Sequence, residues 1–180
     1  MKKIFILLML VLPMGMFAQL QKFGYVNSAE IIQVMPAFDK AQKELADLQK
    51  MYEDEFNAMR TELEKKGTEF EKLQKDSVPE NILKRRYEEL MQLDERLRQY
   101  GNEVSANLQQ QEQEKMVAIQ QELLKALDAV GAEGGFVCIF DVSGGMPYIS
   151  KTLCEDVTMK VRAKLGIPAN AVPAANLPRN

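Results

Sequence analysis

Apolar side chains recur every three or four residues from position 37 to position 130, which is the spacing of one face of an α-helix. The pattern is interrupted at the polar residues 109–114, inside the second helical stretch, and at residues 76–80, where Glu80 stands three residues after Ser77 and Pro79 lies between them. This spacing is typical of a capping box, in which Ser77 caps a new helix and Glu80 reaches back to it. The sequence therefore predicts a rising helical arm and a falling helical arm, joined near Ser77 as an antiparallel hairpin.

Apolar partners meet at every layer when the two arms are folded back on each other at Ser77. For example, Phe56 is expected to meet Leu97, and Tyr52 is expected to meet Tyr100 or Val104. The rising arm, of about 40 residues, is about 60 Å long at the rise of an α-helix. A two-helix coiled coil of this length has no thick core, so we expect it to be anchored elsewhere or packed against copies of itself.

Short apolar runs on both sides of the hairpin predict a small β-body made of residues 19–36 and 131–166. In the first segment, residues 22–27 predict a strand, and a brief helix follows it until Pro36. In the second segment, residues 136–142 are apolar on both alternating faces, which predicts a strand buried on both sides.

The remainder of the second segment predicts a β-hairpin and a closing helix. Residues 147–150 form the predicted second strand of this β-hairpin, and Thr152 and Glu155 have the spacing of a second capping box. Residues 167–180 are mostly Pro, Ala and Asn and predict a disordered tail. The expected fold class is α+β, mostly α: a long antiparallel two-helix coiled-coil hairpin, residues 37–130, attached to a small β-body.

Residues 1–18 predict an export signal that is removed from the mature protein. Lys2 and Lys3 precede an apolar run at residues 4–12, and Met16-Phe17-Ala18 has the character of a cleavage site. The apolar run is shorter than the roughly 20 residues that a membrane span needs. We therefore expect the mature chain to begin near Gln19.

The chain has few residues of the types that usually carry out catalysis. Histidine is absent, which removes the usual general base and the usual metal ligand. Ser143 precedes two glycines, but no histidine can activate it and no predicted helix follows the glycines. We expect no catalytic, cofactor-binding or metal-binding residues. Cys138 and Cys154 can form a disulfide in an oxidising compartment or remain thiols, and a packed core thiol is the favoured state for Cys138.

Charge is distributed unevenly along the hairpin. The chain has a formal charge of −3, which becomes −5 when Lys2 and Lys3 are removed with the signal. Residues 65–86, around the turn, contain seven basic and four acidic residues, whereas the hairpin as a whole is acidic. The basic tip is either a surface for peripheral contact with an anionic membrane or an ordinary solvated helix end, and the second reading is favoured. No nucleic-acid partner is expected.

The order of these elements resembles the Skp/OmpH family of periplasmic chaperones. The resemblance rests on residues 23–27 before the hairpin, residues 135–141 after it, and the closing helix at residues 156–165. It covers the chain from about Lys22 to Gly166. No single motif is specific, and the arrangement of the elements carries the resemblance.

The resemblance implies a homotrimer in the periplasm whose subunits pool their strands and surround a cavity with their helical arms. Family members act without ATP as holdases that keep unfolded outer-membrane proteins soluble. The best-known members are strongly basic, whereas this chain has an isoelectric point near 5.2. Binding of lipopolysaccharide and capture of clients by a positive cavity are therefore not carried over to it. The residues expected to hold the trimer together are Tyr25, Val26, Val137, Ile139, Phe140 and Val142.

Three other functions are alternatives to the holdase. A structural spacer or adaptor of the cell envelope is the main alternative, because it also needs a long coiled coil. A prefoldin-like assembly does not fit, since its strands lie between its helices, and an enzyme is the least favoured. A holdase needs apolar side chains beyond the seam. The expected client contacts are Met51, Phe56, Met59, Met91 and Tyr100, and Gly101 and the polar residues 109–114 are expected to let the arms bend.

Overall fold

The computed structural model describes residues 21–172, which form two compact units. Residues 34–121 form the hairpin unit, and residues 21–33 and 122–172 form the sheet unit. The predicted signal at residues 1–18 and the last part of the predicted tail lie outside the described residues. In chain order the elements are β1 (Lys22–Val26), α1 (Ser28–Ile32), α2 (Pro36–Lys75), α3 (Glu80–Gly134), β2 (Phe136–Asp141), β3 (Cys154–Asp156) and α4 (Thr158–Lys164).

The predicted fold class is confirmed: two long helices and a small sheet account for the described chain. Between residues 21 and 172, no helix combines the length and the apolar character that crossing a membrane requires.

The antiparallel register of α2 and α3 follows the prediction. The rings of Tyr52 and Tyr100 meet edge to face with centroids 6.3 Å apart. Farther towards the turn, the rings of Phe70 and Tyr87 lie 6.2 Å apart. On α3, Leu93 and Leu97 are buried, as expected of the positions that face the partner helix.

The turn between the two arms does not contain the predicted capping box. The first helical amides of α3, those of Ile82 and Leu83, donate to the carbonyl of Pro79, so Ser77 lies too early to cap α3. Ser77 instead has a φ of 51°, in the left-handed region, directly after the last turn of α2. A left-handed residue at this position is a common way to end a helix, and Ser77 therefore terminates α2 rather than starting α3.

The sheet has the order β2-β1-β3, and both outer strands are parallel to β1. The predicted β-hairpin is therefore wrong, since residues 147–150 form no strand and the third strand is Cys154–Asp156. The predicted capping box at Thr152 is wrong for the same reason. Its Cys154 and Glu155 pair with β1, and α4 begins after them, where Asp156 Oδ1 accepts a hydrogen bond from the amide of Thr158 at 2.9 Å.

The core of the sheet unit lies on one face of the sheet. Its most deeply buried side chains come from β1, α1 and α4, and the end of α3 adds more apolar side chains to this unit. The buried apolar residues of the unit are Val26, Ile31, Leu123, Ala126, Val130, Val157, Val161 and Ile167.

The first residues of the predicted tail pack against this core. Ile167 is 4% exposed, and the buried Arg162 reaches the same segment. Arg162 Nη2 donates to the carbonyl oxygens of Ala171 at 2.6 Å and Pro168 at 3.4 Å. The prediction of disorder from residue 167 onwards is therefore wrong for this segment, because a buried side chain and a buried guanidinium fix it.

Both cysteines are free thiols, and their places in the sheet explain why they do not pair. Cys138 on β2 and Cys154 on β3 both lie opposite Phe23 of the central strand. Two strand spacings separate their Cα atoms by about 10 Å, whereas a disulfide spans at most about 7 Å. Cys138 is exposed, so the expectation of a packed core thiol is wrong for it.

We predict that no disulfide joins Cys138 to Cys154 within a chain, because β1 lies between them. Alkylation without reductant, followed by digestion and mass spectrometry, is expected to give the two cysteine peptides separately. A peptide pair linked by a disulfide and recovered from a monomer-sized band would contradict the strand order.

Candidate functional site

The client-contact residues expected on the hairpin fall into two groups. Met51 and Met91 are 54% and 50% exposed and lie outside the seam between α2 and α3. Phe56, Met59 and Tyr100 are half-buried and form part of the seam itself. The hairpin unit therefore presents flexible apolar side chains to solvent beside a seam that is only partly closed.

Three aromatic residues of the seam surround a cavity of about 240 Å³, which we call the aromatic notch. The notch opens at Gly101, where an added Cβ would approach only Phe56, with 3.7 Å to its Cε2. Its lining residues are Gln49, Tyr52, Glu53, Phe56, Asn57, Tyr100, Gly101, Val104 and Leu108.

Hydrogen bonds at their hydroxyl groups hold both tyrosine rings of the notch in place. The Tyr52 hydroxyl donates to Asn107 Oδ1 at 2.9 Å, and the Tyr100 hydroxyl donates to Glu55 Oε2 at 2.8 Å. Desolvation, followed by the hydrogen bond and charge of Glu55, raises the pKa of Tyr100 to about 12. Tyr100 therefore remains a neutral donor at physiological pH, and its ring stays available as an apolar wall.

A second cavity, of about 370 Å³, lies near the turn and has basic side chains around an apolar floor. Phe70, Leu73 and Leu90 form the floor. Arg86 Nη1 lies 2.7 Å from Glu89 Oε2, and this hydrogen bond lowers the pKa of Glu89. Lys65, Lys72, Lys75 and Lys84 have no carboxylate within 4.0 Å among the described residues. Membrane contact through the basic tip stays a prediction.

The residues expected to hold a trimer together lie on two different faces of the sheet. Because paired residues of neighbouring strands point to the same side, Phe23, Tyr25, Cys138 and Phe140 share one face. None of these four side chains is buried, although the rings of Phe23 and Phe140 stack with centroids 6.3 Å apart. We call this surface the open face.

The opposite face of the sheet is covered by the chain itself. Val26 is 1% exposed there, and Ile139 lies against the end of α3, with its Cδ1 3.7 Å from the position of a Cβ added at Gly131. Val26 is therefore a core residue of the single chain. Sequence reasoning missed Phe23 and Cys138, whose places on the open face follow only from the register with β1.

The edge strand β2 is less buried than its sequence predicts. A bulge lies between the pairs that Lys22 and Phe23 form with β2, and Val137 falls at this bulge with 62% of its surface exposed. Val142, after the end of the strand, is half-buried. The apolar strand β2 therefore leaves apolar surface exposed in the single chain, which is unusual for a parallel sheet.

Ser143, which precedes the two glycines, belongs to a structural hydrogen-bond cluster. The Ser28 hydroxyl donates to Asp141 Oδ2 at 2.5 Å and lies 2.8 Å from the Ser143 hydroxyl. Burial raises the pKa of Asp141, but the hydrogen bonds from Ser28 and Ser143 outweigh burial and lower it overall. The cluster joins the end of β2 to the start of α1. Within residues 21–172, no three acidic or cysteine residues converge as metal ligands would.

Comparison with known proteins identifies the family. The model of the family described as outer membrane protein (OmpH-like) matches residues 22–165. The chain belongs to the OmpH-like family. Among solved structures, a proposed outer membrane chaperone (OmpH-like) from Caulobacter crescentus superposes with a TM-score of 0.70 at 16% identity. The match covers 81% of this chain and 84% of that chain, which confirms the OmpH-like fold. No curated protein matches this sequence.

Proposed function

We propose that this OmpH-like protein is a periplasmic holdase chaperone. It binds unfolded outer-membrane proteins without ATP, in a cavity between the helical arms of a homotrimer, and has no enzymatic activity. The observation that carries the proposal is the exposure of apolar side chains on the hairpin unit beyond those that the seam needs. Met51 and Met91 are half exposed, and the aromatic notch leaves part of the seam open.

The same observation favours a holdase over a structural spacer. A spacer needs apolar residues only where its two helices touch, and apolar side chains elsewhere favour aggregation. On this hairpin Tyr87 and Val117 are also exposed, at 53% and 45%. Methionine suits clients of varied shape, since its unbranched side chain adapts to different surfaces.

The homotrimer is supported by the open face and by the two outer edges of the sheet. Parallel sheets are normally covered on both faces, whereas the face with Phe23, Tyr25 and Phe140 has no buried side chain. Within the described residues, β2 and β3 each pair with β1 alone. Further copies of the chain would cover this face and these edges together.

We predict that light scattering on the mature protein returns three times the mass of one chain. Phe140→Glu places a charge on the open face and is expected to lower the mass or to unfold the chain, because a buried, unpaired carboxylate is strongly unfavourable. Met51→Glu, which adds the same charge to an exposed site in the hairpin unit, is the control and is expected to leave the trimer intact. A folded wild-type monomer at micromolar concentration, or an intact Phe140→Glu trimer, would contradict the proposal.

Export to the periplasm is supported by the charged and apolar pattern of residues 1–18. We predict that protein recovered from the cell envelope has the intact mass of a chain that begins near Gln19. Recovery of a chain that still contains Met1 to Ala18 would contradict cleavage of the signal.

Holdase activity is tested by the turbidity of an outer-membrane β-barrel protein diluted from urea. A stoichiometric amount of trimer is expected to suppress aggregation without ATP. Replacing Phe56, Met59 and Met91 together by Gln is expected to weaken the suppression while the trimer mass is unchanged. A client that contacts three arms at once gains from a high effective concentration, so loss of several weak contacts has a large combined effect.

The control for this triple variant is Met146→Gln, which makes the same chemical change at a residue of the sheet unit that is 39% exposed. This variant is expected to suppress aggregation as well as the wild type does. If the wild-type protein does not suppress aggregation, or suppresses it only when ATP is added, the structural spacer would be the better proposal. If the triple variant suppresses aggregation as well as the wild type does, clients bind somewhere other than these residues of the arms.

A further inference from the structure

Within the hairpin unit, residues 34–121, two glycines lie inside the long helices, and only one of them faces the partner helix. A glycine in a helix interior destabilises the helix relative to alanine, so each position needs a reason. At Gly67 an added Cβ would meet nothing within 4 Å, so the residue faces open space. At Gly101 it would point towards Phe56 across the seam. Gly101 is therefore the residue that keeps the aromatic notch open.

The size and the walls of the notch suit one aromatic side chain. Its volume is about 240 Å³, and an apolar protein cavity of about 150 Å³ holds a benzene molecule. The rings of Tyr52, Phe56 and Tyr100 supply faces and edges for aromatic packing. Both tyrosine hydroxyls already have partners, so the rings are held in place before a ligand enters.

The charge around the notch selects among aromatic ligands. Glu53 is the one charged residue among those that line the notch, and no basic residue is among them. Glu55 accepts the hydrogen bond from the Tyr100 hydroxyl, so a second carboxylate lies beside a ring of the notch. Neither carboxylate forms an ion pair within 4.0 Å in the part of the chain that the structure describes. A ligand with basic groups beside its aromatic ring would supply the missing partners.

We propose that the aromatic notch binds an aromatic side chain of an unfolded polypeptide segment in which Lys or Arg residues flank the aromatic residue. The aromatic side chain fills the space above Gly101, and the flanking cations lie near Glu53, Glu55 and the tyrosine rings. This inference rests on the proposed holdase function and names the class of client sequence that one site on the arm recognises.

Tryptophan fluorescence gives a direct test, because the chain contains no tryptophan. The probes are three short synthetic peptides without tyrosine. In the first, Lys residues flank a Trp, and in the second, Glu residues flank it. The third has the same Lys residues as the first, but they are distant from the Trp, which is flanked by glycines. The Lys-flanked peptide is expected to show a blue shift on titration with the full mature trimer. It should bind at least about tenfold more tightly than the other two, and its affinity should fall as salt is added.

Gly101→Leu places a side chain in the notch and is expected to weaken binding of the Lys-flanked peptide by about tenfold or more. Gly67→Leu is the matched control, since it makes the same change at a helical glycine that faces open space. Both changes favour the helix, so the fold is expected to survive. Gly101→Ala, whose Cβ would lie at an ordinary contact distance of 3.7 Å from Phe56, is expected to bind with intermediate affinity.

Equal affinity for the Lys-flanked and Glu-flanked peptides would overturn the charge preference. Equal binding by the Gly101→Leu and Gly67→Leu proteins would overturn the assignment to the notch. The holdase proposal is judged separately by turbidity. If the wild type suppresses aggregation but Gly101→Leu binds the peptide as well as Gly67→Leu does, the proposed notch site alone is refuted. If the wild type binds the peptide but does not suppress aggregation, the holdase function alone is refuted.

Discussion

The number of layers in the hairpin unit determines much of its surface chemistry. Two helices that pack on each other bury one stripe of each, and the remaining surface of both helices has no third element to cover it within this unit. Leu93 and Leu97 lie in the buried stripe, whereas Met51 and Met91 lie outside it and stay half exposed. The exposed apolar surface of the hairpin unit is therefore a consequence of its two-helix architecture, and the exposed methionines keep that surface adaptable.

The sheet unit is subject to a different constraint, because a three-stranded parallel sheet has two faces to cover and only three short pieces of helix to cover them. The chain fills one face with Val26, Val157 and the end of α3. The other face is the open face, which contains Phe23, Tyr25 and Phe140, and none of these side chains is buried. In the proposed trimer, association through the open face would supply the missing layer without a longer chain, which is the physical argument for that proposal.

Helical periodicity predicted the hairpin well, because contacts three and four residues apart are local and the turn fixes the pairing of Tyr52 with Tyr100. The sheet was predicted less well. Thr152 and Glu155 have the spacing of a capping box, but pairing of Cys154 with the distant Phe23 overrides it. Short apolar runs also cannot distinguish parallel from antiparallel pairing. Gly101 was interpreted as a point of bending, and its role in the notch depends on Phe56 of the other helix.

The central claim, that clients contact the arms through exposed apolar side chains, is tested most directly by methionine oxidation with and without an unfolded outer-membrane protein. Met51 and Met91 on the hairpin unit are exposed to a similar degree as Met159 on the sheet unit, whereas Met35 is 1% exposed. Peroxide should oxidise the three exposed residues and spare Met35. The account predicts that a bound client slows oxidation of Met51 and Met91 but not of Met159. Protection of Met159 alone, or of none of them, would contradict it.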